Sequence, residues 1–118
     1  MRLGMVVVCV CVAGCMSQKY SIIVRNTGSE KITHASVNYN DFKSGGGNLL
    51  PGGGAQHAWP DEPIPEKAKV VWRDAKGVDH EKDVEVKKNI PKNIRGDKDL
   101  IFEIGDNDDV TMKVKAVK

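Results

Sequence analysis

Residues 68–86 read AKVVWRDAKGVDHEKDVEV, and their alternating pattern predicts a β-hairpin. Val70 and Trp72 share one face of the first strand, because successive side chains of a strand point to opposite sides of the sheet. Residues 74–77 then supply a turn, in which Gly77 suits a left-handed backbone conformation. An antiparallel sheet built from strands that alternate in this way has one face buried and the other in water. The return strand alternates in the same way, with Val78, Val84 and Val86 in one phase and Asp79, Glu81, Asp83, Glu85 and Lys87 in the other.

The remaining sequence extends this prediction to a whole β domain. Beyond residue 14 the chain contains 10 Val and 8 Ile but 3 Leu, and β-branched residues favour strands over helices. We expect an all-β fold, a small antiparallel β-sandwich of six or seven strands with Trp72 in its core. In strand count it resembles immunoglobulin and fibronectin type III domains. Further alternating segments lie between turns at residues 20–26, 32–39, 55–59, 100–104 and 110–116.

The first fourteen residues have the layout of a secretory signal. One positive residue, Arg2, precedes an apolar run over residues 3–13. This run is shorter than the roughly 20 apolar residues that a membrane-spanning helix needs. The run leads into Val12-Ala13-Gly14-Cys15, which resembles the lipobox of bacterial lipoproteins. An ordinary secretory signal that is cut elsewhere is the alternative.

The resemblance to the lipobox implies that residues 1–14 are removed and that Cys15 carries lipid. Residues 15–19 then form a lipidated N-terminus with a short tether, and residues 20–118 form the β-sandwich domain. Met16 follows the cysteine where retention in the inner membrane usually uses aspartate. The resemblance therefore implies anchoring on the periplasmic side of the outer membrane. The tether spans at most about 14 Å, so we expect the domain to stay near the bilayer.

The composition gives no support for a nucleic-acid-binding protein or an enzyme. Without the signal the chain has 17 basic and 16 acidic residues, a balance that creates no net field for nucleic acid. Cys9 and Cys11 leave with the signal, so neither a disulfide framework nor a thiolate metal site is expected. His34, His57 and His80 lie on three separate segments, and the sequence contains no nucleophile elbow or phosphate-binding loop. We expect no catalytic residues, no metal and no cofactor.

A glycine-rich segment, residues 40–56, is the first candidate for contact with a partner protein. Leu49 and Leu50 lie between two glycine triplets, with Phe42 before them and Trp59 after them. Loops longer than about 12 residues are often functional, and apolar side chains on an exposed loop suit partner contact. The alternative is that these side chains fold back onto a thin core.

The acidic residues of the predicted return strand are the second candidate for a partner contact. These residues are Asp79, Glu81, Asp83 and Glu85. Four like charges on one face suit a basic partner. The alternative is a solvated sheet face, neutralised across the same sheet by Lys113, Lys115 and Lys118. His80 falls in the apolar phase of this strand, which predicts a partly wet edge.

A wider pattern of turn and core residues runs through the chain: Tyr39, Asp41-Phe42, Ser44-Gly45-Gly46, Pro51-Gly52-Gly53, Ala68, Val70, Trp72-Arg73, Gly77, His80, Val84, Val86-Lys87, Pro91, Gly96, Phe102, Ile104 and Val110. This pattern resembles small lipoproteins that are encoded beside antibacterial effectors of type VI secretion and act as periplasmic immunity proteins. The resemblance implies that the protein binds and blocks an incoming toxin, such as a phospholipase. The alternative function is a structural or assembly lipoprotein of the cell envelope.

Overall fold

The computed structural model describes residues 19–117, which form two facing β-sheets. The predicted signal peptide, Cys15 and most of the tether lie outside the described residues, as does Lys118. No helix in the described part of the chain is long and apolar enough to cross a membrane. Nine strands are found within residues 19–117: β1 (Tyr20–Asn26), β2 (Ile32–Tyr39), β3 (Phe42–Lys43), β4 (Gly47–Leu49), β5 (Gly54–Ala58), β6 (Lys67–Arg73), β7 (Asp79–Glu85), β8 (Lys98–Ile104) and β9 (Val110–Ala116), with a 3-10 turn at Lys87–Asn89.

The predicted all-β sandwich is confirmed, with nine strands in the described residues instead of six or seven. One sheet has the order β5-β1-β8-β9, and the other has the order β3-β2-β6-β7, with β4 also paired to β2. The hairpin predicted over residues 68–86 is β6–β7, in which Trp72 lies opposite His80. The additional strands β3 and β4 lie in residues 40–56, where the sequence predicts a loop. Strands of two and three residues are too short to show an alternating pattern.

The central strand β1 fixes the direction of the chain in the sandwich. It pairs antiparallel with β5 and parallel with β8, and Tyr20 lies opposite Lys98. The chain therefore enters at the end where the Lys19 carbonyl accepts a hydrogen bond from the Lys98 backbone N–H, at 3.2 Å. We call this the N-terminal end. The opposite end, which holds the turns after β1, β4, β6 and β8, is the turn end.

The core is formed by the alternating apolar positions of both sheets. Trp72 is 4% exposed, as the sequence predicts, and belongs to one continuous apolar cluster. Full burial of an aliphatic or aromatic side chain contributes about 1.5–3 kcal/mol. Since β1, β2, β6 and β8 carry most of the fully buried side chains, these strands supply most of the stability. The largest fully buried apolar side chains are Ile22, Val24, Val37, Val70, Val86, Leu100, Phe102 and Ile104.

Two tyrosines join the sheets at the N-terminal end. The hydroxyls of Tyr20 in β1 and Tyr39 in β2 share a hydrogen bond of 2.5 Å. The Tyr20 hydroxyl also donates to the carbonyl oxygen of Glu62 at 2.8 Å. Burial raises the pKa of both hydroxyls above the ordinary range, so both stay neutral at physiological pH. The pair therefore holds the proline-rich segment 60–65 against the two sheets.

A buried side-chain amide organises the turn end. Asn26 is 1% exposed, and its Nδ2 donates to the carbonyl oxygens of Glu30 at 2.8 Å and Leu49 at 3.0 Å. Its Oδ1 accepts from the Gly28 N–H at 2.9 Å. Its backbone carbonyl accepts from the Gly53 N–H at 2.8 Å. One residue therefore ties the turn after β1 to the turn after β4.

The Asn26 contacts generate a stability prediction. Asn26→Asp is expected to lower the free energy of unfolding by about 3 kcal/mol or more, because a buried carboxylate cannot donate to two carbonyl oxygens. Asn89→Asp is the matched control, since the Asn89 amide also donates to a carbonyl, that of Glu85 at 2.7 Å, but is exposed. Its loss should stay below about 1 kcal/mol. Urea unfolding at neutral pH measures both, and equal losses would contradict the organising role of Asn26.

Candidate functional site

The turn end gathers four turns and a polar groove. The turns are residues 27–31, 50–53, 74–78 and 105–109. The groove has a volume of about 530 Å³. It is lined by the turns at residues 27–31, 74–78 and 105–109, together with Trp72 and His80. The second turn lies against the first, because the Gly52 N–H donates to the Gly28 carbonyl at 3.3 Å. The two sheets therefore contribute jointly to one surface.

His80 connects the turns of the two sheets. Its Nε2 lies 2.7 Å from Oδ2 of Asp74, in the turn between β6 and β7. Its Nδ1 lies 2.8 Å from Oδ1 of Asp108, in the turn between β8 and β9. The ring also stacks on Trp72, with centroids 5.3 Å apart and planes 11° apart. His80 is therefore fixed on one face by the core and at both nitrogens by carboxylates from opposite sheets.

The two carboxylates favour a protonated ring. The hydrogen bond to Asp74, followed by the charge of Asp108, raises the pKa of His80 above its ordinary value. The same hydrogen bond, together with the Val78 and Lys76 backbone N–H groups, lowers the pKa of Asp74. With both nitrogens protonated, the imidazolium donates to the Asp74 carboxylate and forms an ion pair with the Asp108 carboxylate. The arrangement is an ion-paired clamp across the sandwich.

The turn between β8 and β9 is shaped to supply Asp108. Asn107 and Asp108 both have φ of 61°, in the left-handed region. Asn and Asp enter this region more readily than other residues with a side chain. Asp106, which precedes Asn107, accepts a hydrogen bond from the Ser29 N–H at 3.1 Å. It therefore ties this turn to the turn after β1. The Asx-rich sequence therefore places two carboxylates, one towards each neighbouring turn.

The three histidines occupy two separate places. His34 and His80 line a smaller groove of about 310 Å³ together with Asp79. His57 stacks on Trp59, with ring centroids 5.9 Å apart. Within residues 19–117, no group of three or more His, Cys, Asp and Glu side chains is placed to hold a metal ion. His57 therefore lies apart from the pair formed by His34 and His80.

The candidates from the glycine-rich segment lie in different parts of the molecule. Leu50 is 65% exposed at the turn end, whereas Trp59 is 73% exposed where β5 reaches the N-terminal end. Leu49 is 3% exposed and belongs to the core, which corrects the expectation that it contacts a partner. Phe42 is half-buried and packs against Tyr39, with ring centroids 5.1 Å apart. Leu49 is the last residue of β4 and faces the core, whereas Leu50 begins the following turn and faces solvent.

The acidic stripe, defined as Asp79, Glu81, Asp83 and Glu85 of β7, is paired largely with the neighbouring strand β6, which corrects the expected pairing with the lysines of β9. The lysines of β9 belong to the other sheet, where Lys113 lies 3.2 Å from Glu103. The ion pairs of the stripe itself are exposed on both sides, and such pairs contribute under about 1 kcal/mol each. Asp83 lies on the same exposed face, opposite Lys69. Three carboxylates of the stripe pair with bases of β6: Asp79 with Arg73 at 2.8 Å, Glu81 with Lys69 at 3.5 Å and Glu85 with Lys67 at 3.6 Å. The stripe is therefore largely a set of solvated cross-strand pairs.

The exposed large apolar side chains fall at the two ends of the sandwich. Leu50 and Val78, which is 52% exposed, lie at the turn end. Trp59 and Val117, which is 46% exposed, lie at the N-terminal end. Val78 shares the apolar phase of Val84, but it precedes β7 and extends beyond the core. The sequence pattern therefore does not identify Val78 as a surface residue.

Comparison with known proteins supports the fold. The chain matches no known family model, and no curated protein is significantly similar to it. It is similar to a solved structure described as the NMR structure of the protein from Eubacterium rectale. The TM-score is 0.53 at 17% identity, over 86% of this chain and 92% of that chain. At this identity the likeness shows a shared fold alone.

The clamp predicts how stability depends on pH. Because the folded pKa of His80 is raised, its stabilising contribution is present below the ordinary value of about 6.5 and is lost as the pH rises through the folded pKa. The lowered pKa of Asp74 acts at the acid side, where its contribution is lost as the pH falls through the folded value. The melting temperature should therefore fall more between about pH 6 and pH 9 in the wild type than in His80→Gln.

Thermal unfolding followed by circular dichroism measures this difference. His57→Gln is the matched control, because His57 stacks on an exposed tryptophan at the other end, and its pH dependence should follow the wild type. Asp108→Asn should also lower the pKa of His80, measured by NMR titration of the ring protons. Parallel pH curves for the wild type and His80→Gln would show that the clamp does not contribute to stability.

Proposed function

We propose that this protein is a lipoprotein anchored through Cys15 on the periplasmic side of the outer membrane, and that it binds and inhibits an antibacterial effector. The observation that carries the proposal is the position of Lys19, which lies at the opposite end of the sandwich from the four turns. A chain tethered through residues 15–19 holds its N-terminal end at the membrane. The turn end then faces the periplasm, where an incoming effector is met.

The chemistry of the turn end supports the binding of a protein. Leu50 and Val78 are exposed apolar side chains at the turn end, where three of the four turns line a groove made largely of polar and charged residues. Apolar anchors within a polar rim are typical of protein interfaces. The contacts of Asn26 and His80 hold the turns in place, so binding requires little ordering. Pockets for small molecules are mostly apolar, whereas this groove is lined largely by polar residues.

The anchoring part of the proposal predicts the behaviour of Cys15→Ser. The variant should accumulate as uncut precursor and lose palmitate labelling, because the lipid is attached to the thiol. Wild-type protein should fractionate with the outer membrane. Normal processing of Cys15→Ser would contradict the anchor, and recovery of the wild type in inner-membrane vesicles would contradict the proposed location.

The binding part predicts the effect of changing the exposed anchors. Leu50→Ser combined with Val78→Ser should weaken effector binding by about 2 kcal/mol or more, with the melting temperature nearly unchanged because both side chains are exposed. The ligand for calorimetry is the effector that we expect to be encoded beside this protein. In cells, a strain lacking the protein should be killed by that effector in the periplasm. The wild type should protect the strain, and the double variant should not.

Leu49→Ala is the matched control, since Leu49 is the buried neighbour of Leu50. It should cost about 2–5 kcal/mol of stability and leave the affinity of the folded molecules intact. Trp59→Ser changes a side chain at the N-terminal end that is more exposed than either Leu50 or Val78, and it should leave effector binding unchanged. Protection by the Leu50 and Val78 double variant would exclude the turn end as the inhibitory surface. Association with an envelope component in place of the effector would favour the structural lipoprotein.

A further inference from the structure

The connection between β7 and β8 presents a basic surface at the N-terminal end. Residues 87–95 read KKNIPKNIR and contain no acidic residue. Ile90 is half-buried and packs against the core. Four basic side chains are exposed on the same segment: Lys87, Lys88, Lys92 and Arg95. We call residues 87–95 the basic loop.

Backbone hydrogen bonds hold the basic loop in a defined conformation. The N–H of Val86, just before the loop, donates to the Glu66 carbonyl at 2.8 Å. Within the loop, the Ile90 N–H donates to the Lys87 carbonyl at 3.3 Å. A second turn follows, in which the Ile94 N–H donates to the Pro91 carbonyl at 3.1 Å. The charges are therefore displayed on an ordered part of the fold.

Nearby carboxylates neutralise only part of this charge. The Glu66 carboxylate lies 3.6 Å from Nζ of Lys87. Asp97 accepts the Lys19 backbone N–H at 3.1 Å, Glu85 lies 3.6 Å from Nζ of Lys67, and Asp99 accepts from the Ser21 hydroxyl at 2.6 Å. Asp41, Asp61 and Glu62, at the same end, belong to other connections. Among residues 19–117, none of the ion pairs includes Lys88, Lys92 or Arg95. The basic loop therefore keeps a net positive charge.

The basic loop also lies beside the point where the chain enters the sandwich. The Lys19 backbone N–H donates a hydrogen bond to the Asp97 carboxylate, and Arg95 is two residues before Asp97. A lipid on Cys15 would be separated from β1 by four residues, or at most about 14 Å. Attraction between basic residues and an anionic membrane acts within a Debye length of about 8 Å. The short tether therefore allows the basic loop to approach the membrane to within this distance.

We propose that the basic loop docks on anionic phospholipid headgroups of the bilayer that carries the protein, an inference that rests on the lipid anchor of the proposed function. Trp59 is 73% exposed at the same end, and an amphipathic indole ring suits the boundary between headgroups and acyl chains. Docking fixes the long axis of the sandwich relative to the membrane. The turn end is then held away from the lipid surface.

Chemical labelling of the lipidated protein in vesicles tests the docking. The protein is reconstituted in neutral phosphatidylcholine vesicles and in vesicles containing phosphatidylglycerol, and a water-soluble reagent acetylates its lysines. Labelling of Lys88 and Lys92 should be about threefold slower or more in the anionic vesicles at low salt. High salt should remove the difference. Lys76, exposed at the turn end, is the internal reference and should label equally in both.

Matched variants separate docking from a general charge effect. Lys88→Gln with Lys92→Gln should abolish the protection of Lys87 in anionic vesicles, whereas Lys31→Gln with Lys76→Gln removes the same charge at the turn end and should preserve it. Equal labelling of the basic loop in both vesicle types overturns the docking, and so does equal protection of Lys76. Failure of the lipid anchor gives a different result, because the protein would then not remain with neutral vesicles. Competition by inorganic phosphate at millimolar concentration would show that the loop binds free phosphate in place of a lipid surface.

Discussion

The parallel pairing of β1 with β8 is the constraint on which the rest of the structure depends. It joins strands that lie 78 residues apart in the chain, from Ser21 to Asp99. β1 contributes apolar side chains to both of its faces, with Ile22 at 1% exposure and Ile23 at 5%. Because β8 runs in the same direction, the chain enters at one end and the hairpin turns collect at the other. The division of the molecule into a lipid-facing and a partner-facing end, which we propose, follows from that direction.

Each end is closed by a polar contact that crosses between the sheets. At the N-terminal end the contact is neutral, a hydroxyl pair formed by Tyr20 and Tyr39. At the turn end it is ionic, formed by His80 with Asp74 and Asp108. Both contacts lie at the margins of the apolar core, where water is partly excluded. A polar group left unpaired there would cost free energy, and each contact avoids that cost. The sandwich is therefore held by apolar packing in the middle and by directed polar bonds at its ends.

The sequence predicts the architecture better than the surface. The alternation of residues 68–86 specifies a hairpin and places Trp72 in the core, because a period of two has direct physical meaning in a sheet. The same pattern does not reveal that Leu49 is buried while Leu50 is exposed, since β4 is too short to show a phase. Nor does it reveal the His80 clamp, whose partners come from two hairpins. The one local signal was His80 in an apolar phase, which corresponds to its stacking on Trp72.

The late arrival of β8 also affects how the protein reaches its native state. β1 is made first, yet its parallel neighbour becomes available only when residues 98–104 have emerged. β5 can pair with one edge of β1 earlier, but until β8 is available the segment YSIIV keeps its other backbone edge unpaired beside apolar side chains, a combination that promotes aggregation. Pairings of such long sequence separation also slow folding, because the loop must close before the contacts form. The edge of β1 that receives β8 is therefore the last to be covered, and it is the edge most open to pairing with another chain before folding is complete.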